Sequence, residues 1–182
     1  MKAIPVSHKK MALVDDEDYD RVRQHKWYLI VNKHTTYARA DIEIDGKRTA
    51  VFMHRFVLGL TKGDPLVDHW NRNGLDNQRK NLRTATNGQN MANSIKMRSK
   101  RGCCPSTYKG VTCADCLEFS GWEANIRHDG GTEFLGHFGD AKEAALVYDA
   151  AARRLHGEFA RVNFPGPGER PAILSQKPSF CP

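Results

Sequence analysis

No apolar run in the 182 residues approaches the roughly 20 needed to cross a bilayer, and Met1–Lys10 lacks the apolar stretch of a secretory signal. The expectation is a soluble protein, intracellular and cytoplasmic, with no membrane partner. Cysteine is scarce and odd in number. Cys103, Cys104, Cys113, Cys116 and Cys181 are five, four of them in one short stretch, which argues against a secreted disulfide framework and fits a reducing compartment. Acidic residues are in deficit: Lys and Arg number 28 against 21 Asp and Glu, a formal charge of +7, which favours a polyanionic partner. A chain of this length buries one ordinary core or two small ones, and two small lobes is the reading adopted here.

Along the chain, Met11–Val14 reads as a strand. Asp15, Asp16 and Glu17 then open a short helix through about His25, where acidic side chains complement the unpaired amides of a helix start. Trp27–Val31, Thr36–Ile44 and Arg48–Phe52 are rich in β-branched and aromatic residues, with turn chemistry at Asp45-Gly46, and predict a small antiparallel sheet. Met53, Phe56, Val57 and Leu60 repeat at helical spacing up to the breaker Gly63-Asp64-Pro65. Met91–Thr107 contains Lys96, Arg98, Lys100 and Arg101 and no acidic residue, so it reads as a linker, either a solvated spacer or a track along phosphates. Beyond Phe164, Pro165, Pro167, Pro171, Pro178 and Pro182 break the pattern, and no fold is expected there.

The first chemical constellation is Leu66–Trp70, a short strand with Asp68 and His69 side by side. After it come the polar turn Asn71-Arg72-Asn73-Gly74, a second strand Leu82–Ala85, and a helix opened by Thr86 with Gln89 at capping-box spacing. Adjacent strand residues point to opposite faces, so Asp68 and His69 are not both expected in the core. Strand, turn, strand and helix fold back on one another, which can bring this pair beside Asn90. On the bland reading the pair merely caps a turn. His54 is read as a partly buried structural histidine or a phosphate contact, outside the catalytic set.

The run Val67-Asp68-His69, Asp76-Asn77, Asn81-Leu82-Arg83 and Asn87-Gly88-Gln89-Asn90 resembles the HNH endonuclease family, in its homing-endonuclease branch with Asn in the last position. Ala12–Tyr19 and Lys26-Trp27 resemble that branch too, and the likeness covers about half the chain. It implies a ββα-metal motif in which Asp68 and Asn90 hold one divalent cation, His69 is the general base and Asn81 orients the histidine-bearing segment. With so few protein ligands, a hard cation such as Mg²⁺ or Mn²⁺ keeps several waters and completes its shell with the scissile phosphate. Neutral His69 takes the proton of the attacking water. Zinc would need more Cys or His ligands than this site offers.

The second constellation opens where Tyr108-Lys109-Gly110-Val111 begins a strand, and further strands follow at Gly121–Arg127 and Thr132–Phe138. A helix follows, capped by Asp140 and stopped by Gly157, whose Ala144, Val147, Tyr148, Ala151 and Leu155 make one apolar face. In the middle strand Trp122, Ala124 and Ile126 share the face that takes the helix, leaving Glu123, Asn125 and Arg127 on the other. The runs Tyr108-Lys109-Gly110-Val111, Trp122–Arg127, Leu135-Gly136-His137-Phe138, Tyr148-Asp149 and Asn163-Phe164-Pro165 are similar to the plant ethylene-response-factor (Apetala-type) DNA-binding domain. That family lays its sheet in the major groove, which implies contacts from Lys109 and Arg127, with Thr112, Glu123, Asn125 and Thr132 as further candidates. Thr112 and Thr132 stand where the plant domain has basic or aromatic residues, and Phe134 where it has tryptophan, so no target sequence carries over. The alternative is a sheet–helix module with a merely solvated polar face. Cys113-Ala114-Asp115-Cys116 has zinc-ligand spacing, but adjacent Cys103-Cys104 make a poor second pair, and a thiol-bearing hairpin loop is the reading kept.

The expectation is an α+β chain. An HNH ββα-metal nuclease domain spans 1–92 and a basic linker 93–107. A DNA-binding domain of one three-stranded antiparallel sheet on one helix spans 108–165, and a Pro-rich tail 166–182. Function follows as a site-specific, homing-type endonuclease of the kind found in phages and introns. With one active site per chain it acts on double-stranded DNA as a nicking monomer or weak dimer. The rival reading is a non-catalytic, sequence-specific DNA-binding regulator.

Overall fold

Lys2–Val6 (β1) and Lys10–Val14 (β2) pair as an antiparallel hairpin whose inward positions Ile4, Val6, Ala12 and Val14 are all buried. The strand β1 is absent from the sequence reading because it contains Pro5, which lacks a ladder donor and is tolerated only at an edge. The structure is a computed structural model that describes residues 1–7, 9–32, 35–44, 46–94, 106–116 and 119–172. It is α+β, built of small antiparallel sheets and four α-helices among the described residues, and it divides into two units, Met1–Thr86 and Asn87–Pro182.

In the first unit, Asp16–Val22 (α1) carries Asp16, Glu17 and Asp18 in its first turn. Next comes a three-stranded sheet in sequential order, Tyr28–Val31 (β3), Thr36–Ile44 (β4) and Lys47–Phe52 (β5), and then Met53–Leu58 (α2). The helix α2 stops two residues short of the expected Leu60, because Gly59 takes a left-handed conformation (φ 69°) and its N–H caps the last turn. Leu66–His69 (β6) and Leu82–Ala85 (β7) form a separate antiparallel ribbon. One core joins these pieces: Ile4, Val14, Val22, Trp27, Ala40, Met53, Val57 and Leu82 are all buried in it. The Trp27 indole donates to the Val22 carbonyl at 2.8 Å, so this ring is satisfied where it is buried.

The second unit opens with Asn87–Ala92 (α3). Val111–Cys116 (β8), Phe119–His128 (β9) and Gly131–Phe138 (β10) make an antiparallel sheet with β9 central, and Ala141–His156 (α4) packs on it. Asp140 caps α4 through Oδ2, which accepts from the Lys142 and Glu143 amides at 3.0 and 3.1 Å. Buried Ala144, Ala145, Ala151 and Ala152 let α4 lie close to Val111, Ala124 and Ile126. Gly110, at φ 77°, could not carry a side chain, since an added Cβ would enter the Tyr148 ring.

Residues 165–172 correct the expectation of an unfolded tail. Val162 and Pro171 form a bridge, the Glu169 carboxylate pairs with Arg153 at 2.7 Å, and Arg170 and Ala172 are buried. Prolines prevent a regular element there, but they do not prevent a turn that folds back onto the end of α4. Pro178 and Pro182 lie outside the described residues, as do Lys96, Arg98, Lys100, Arg101, Cys103, Cys104, Cys181 and the turn residue Asp45.

Candidate functional site

The ribbon β6–β7 pairs Asp68 with Arg83 and His69 with Leu82. Both Asp68 (4 % exposed) and His69 (5 %) are buried, against the expectation that only one would be. Alternation still holds, but each face of the ribbon has its own cover. The Arg83 guanidinium closes over Asp68, its Nε and an Nη reaching Oδ2 at 2.9 and 2.7 Å. His69 lies under an aromatic group: its ring centre is 5.2 Å from His54, edge to face, and 5.8 Å from Tyr37. Phe52 stacks on His54 at 5.5 Å.

The loop between the two strands is held almost entirely by its own amides. Asn81, 5 % exposed at the end of a 3₁₀ turn, accepts the Asn71 N–H through Oδ1 (2.9 Å) and donates Nδ2 to the Asp76 carbonyl (2.7 Å), so it ties both ends of the loop together. The Asp76 carboxylate accepts from the Asn71 and Gln78 amides at 2.7 and 2.8 Å. Main-chain bonds from Leu13 to Leu75 and from Asn77 to Leu13 fasten the loop to β2. Gly74 allows the close approach to β4, since an added Cβ would strike the Thr36 carbonyl and come within 2.6 Å of the Tyr37 ring. Asp18, buried on α1, takes Arg79 Nε at 2.8 Å. Burial alone would raise that carboxyl, but the bonds from Arg79 and Arg21 hold it below its usual range.

Burial lowers the His69 pKa, opposed by the Asn77 amide oxygen 3.4 Å from Nε2 and by the Asp68 and Asp76 carboxylates. The net effect is an imidazole that is neutral near pH 7 and can accept a proton. His54, which the sequence reading leaves out of the catalytic set, is pushed down to about 3, chiefly by burial and then by its neighbours His69 and Arg55. Its Nδ1 is buried with no hydrogen-bond partner among the described residues. Asp68, His69 and Asn81 therefore come together in the first unit, while Asn90 is exposed on α3 of the second unit. Among the described residues no three His, Cys, Asp or Glu side chains cluster as a metal site. A pair of one carboxylate and one carboxamide is not a cluster of that kind.

In the second unit, Thr112, Glu123, Asn125, Arg127 and Thr132 fall on one face of the sheet, opposite the face covered by α4. Register pairs Thr112 with Glu123 and Thr132 with Arg127. Phe134, 53 % exposed, and His137 complete this face, with their rings 4.9 Å apart. Lys109 lies ahead of β8, and its ammonium donates to the carbonyls of Ala92 and Ser94 at 2.6 and 2.8 Å. Asn93 is the deeper anchor of this segment. It is 2 % exposed, and its Oδ1 accepts from Arg161 Nε at 2.8 Å and Arg170 Nη1 at 2.7 Å. Sequence gives no sign of this contact, because the partners lie 68 and 77 residues away. Cys113, on β8, is half-buried, and Cys116 ends that strand.

The chain is 26 % identical to an uncharacterized HNH endonuclease of Acanthamoeba polyphaga mimivirus over 157 residues, covering 84 % of this chain and 74 % of that protein. It is also 36 % identical over 83 residues to dehydration-responsive element-binding protein 2D of Arabidopsis thaliana, covering 40 % of this chain and 39 % of that protein. An ethylene-responsive transcription factor of the same plant is 47 % identical over 57 residues. This chain joins the likeness of an HNH endonuclease to that of ethylene-response-factor DNA-binding proteins. It spans less than two fifths of the plant proteins' lengths, 39 % of the one and 22 % of the other. No family model and no solved structure matches it. Among the described residues no helix is long and apolar enough to cross a membrane.

Proposed function

We propose that the chain is a site-specific, metal-dependent endonuclease of duplex DNA, homing-type and nicking. In this reading residues 1–92 supply the nuclease, 93–107 a basic linker and 108–165 the reader. The observation that carries the proposal is the Asp68–His69 pair at the end of β6, beside a loop closed on both sides by Asn81. A scaffold that only binds has no physical need for a buried carboxylate and a buried imidazole side by side at a strand end.

His69 is the general base and takes a proton from the water whose oxygen attacks phosphorus, and the ester bond to the leaving oxygen breaks. Burial keeps the imidazole neutral and ready for that proton. Asn81 holds the loop in place and so fixes where His69 stands. Asp68 and Asn90 are the proposed cation ligands. Both offer hard oxygen donors, which suit Mg²⁺ or Mn²⁺, and a cation at Asp68 would take the place of the Arg83 guanidinium now paired with it at 2.7 Å. When bound, the cation neutralises the charge that develops on the phosphate and the leaving oxygen.

The face made by Thr112, Glu123, Asn125, Arg127 and Thr132 reads base edges in the major groove. Lys96, Arg98, Lys100 and Arg101 follow phosphates. The resemblance implies, together with Arg127, a groove contact from Lys109. Its ammonium is bonded to two carbonyls, so the proposal rests on the five sheet residues.

The regulator reading has two observations in its favour: His69 is almost closed to solvent, and Asp68 is ion-paired. Supercoiled duplex DNA incubated with Mg²⁺, Mn²⁺ or EDTA separates the two. The expected result is open circles that require both the cation and His69, with a His69→Ala variant that still binds. Tight binding with intact DNA under every metal and sequence tried would establish the regulator instead.

A further inference from the structure

Within the Asn71–Gln78 loop every polar side chain but one has a bonding task. Asn71, Asn73, Asp76 and Gln78 hydrogen-bond inside the loop, and Asn77 reaches His69 and Met53. Arg72 does not. Its guanidinium makes no hydrogen bond or ion pair among the described residues, although the side chain is half-buried. The other arginines near this loop are committed: Arg21 and Arg79 to Asp18, Arg55 to main-chain carbonyls, Arg83 to Asp68.

Arg72 is also strained. Its φ is +63°, a region that side-chain-bearing residues enter at a penalty of about 1–2 kcal/mol, and its N–H bonds the His69 carbonyl at 2.8 Å. Burial lowers the guanidinium pKa, while Asp68 and Tyr37 act on it in the opposite direction, which places its charge within electrostatic reach of Asp68. It remains a cation at neutral pH. A glycine would take this backbone conformation without penalty and would not need to place a charge half out of water. Arg72 therefore opposes folding twice. Residues of that kind persist where the site uses them.

A planar cation with unused donors is complementary to a phosphate, which accepts two parallel N–H bonds. Resting on the nuclease reading, we propose that Arg72 is a catalytic residue that grips the scissile phosphodiester and stabilises the charge gathering on its oxygens during cleavage. The contact is made by the first unit and is separate from recognition by the sheet.

The test is nicking of supercoiled duplex DNA by the full chain with Mg²⁺ or Mn²⁺, measured for wild type, Arg72→Gly and Arg72→Lys alongside duplex binding and thermal melting. Arg72→Gly is expected to melt at the wild-type temperature or above it and to bind duplex within about twofold. Its kcat is expected to fall about 100-fold or more, the usual loss when one donor to a developing oxyanion is removed. Arg72→Lys keeps the charge but not the fork, and should fall between the two; it also tests the point if the glycine variant misfolds. Wild-type turnover in Arg72→Gly overturns the proposal. So does a rate loss matched by an equal loss of affinity, which would make Arg72 an ordinary docking contact. Wild-type protein that never nicks overturns this proposal together with the nuclease reading, whereas a cutting wild type with an unaffected glycine variant overturns this one alone.

Discussion

Acid should loosen the first unit through His54, and the size of the effect follows from its surroundings. The ring is 9 % exposed, packed between Phe52, Tyr37 and His69, with Nδ1 buried and unbonded among the described residues. Its pKa falls from 6.5 to about 3. Between those values the unfolded chain carries a proton on this ring that the folded chain refuses, so stability rises with pH across the window. The stability is fully present above 6.5 and is lost as pH falls toward 3. From pH 7.0 to 4.5 the ring passes through about two pH units of that window, which at 1.36 kcal/mol each is about 3 kcal/mol. His69, shifted in the same direction, adds to it. Amide exchange in β4, corrected for its intrinsic pH dependence, reads the free energy of opening at the two pH values. His54→Phe keeps an aromatic ring against Phe52 and removes the titration, so its loss between pH 7.0 and 4.5 should shrink by about 3 kcal/mol. An undiminished loss in the variant would refute the assignment.

Asn81→Ala leaves the part-buried Asn71 N–H and the buried Asp76 carbonyl without that partner and should destabilise the first unit by about 1–3 kcal/mol; a fall in urea-unfolding free energy below about 0.5 kcal/mol would mean water or a neighbour replaces it. Gly110→Ala forces a methyl group into the Tyr148 ring at a positive φ, and should remove the second unit's cooperative melting transition while leaving that of the first.

The elements that alternate cleanly were legible. The middle strand β9 shows its two faces in Trp122–Arg127, and α4 carries both its cap and its stop in local residue types. Asp68, His69 and Asn81 could be picked out because their spacing matches a family pattern, not because periodicity marks them. What stayed hidden depends on neighbours distant in sequence or on backbone angles. The burial of Asp68 and His69 together needs Arg83, Tyr37 and His54 to arrive from elsewhere. No residue pattern announces a left-handed arginine, so Arg72 looked like an ordinary turn residue. The backfolded segment 165–172 was obscured by its prolines, although what holds it is Arg170 reaching Asn93 and Glu169 reaching Arg153.

The attachment of Asn93 to Arg161 and Arg170 bears on how such a chain is inherited. The oxygen of Asn93 fills a place that two buried guanidinium groups would otherwise leave vacant, so α3 travels with the sheet module and carries Asn90 with it. Recombination that exchanged one sheet module for another after Ala92 would take that bond from both arginines. An exchange after Thr86 would deliver the incoming module with its own copy of α3, and with whatever residue that copy bears in place of Asn90. Under the proposed nuclease reading, each new sheet module would then arrive with part of the old motif rewritten.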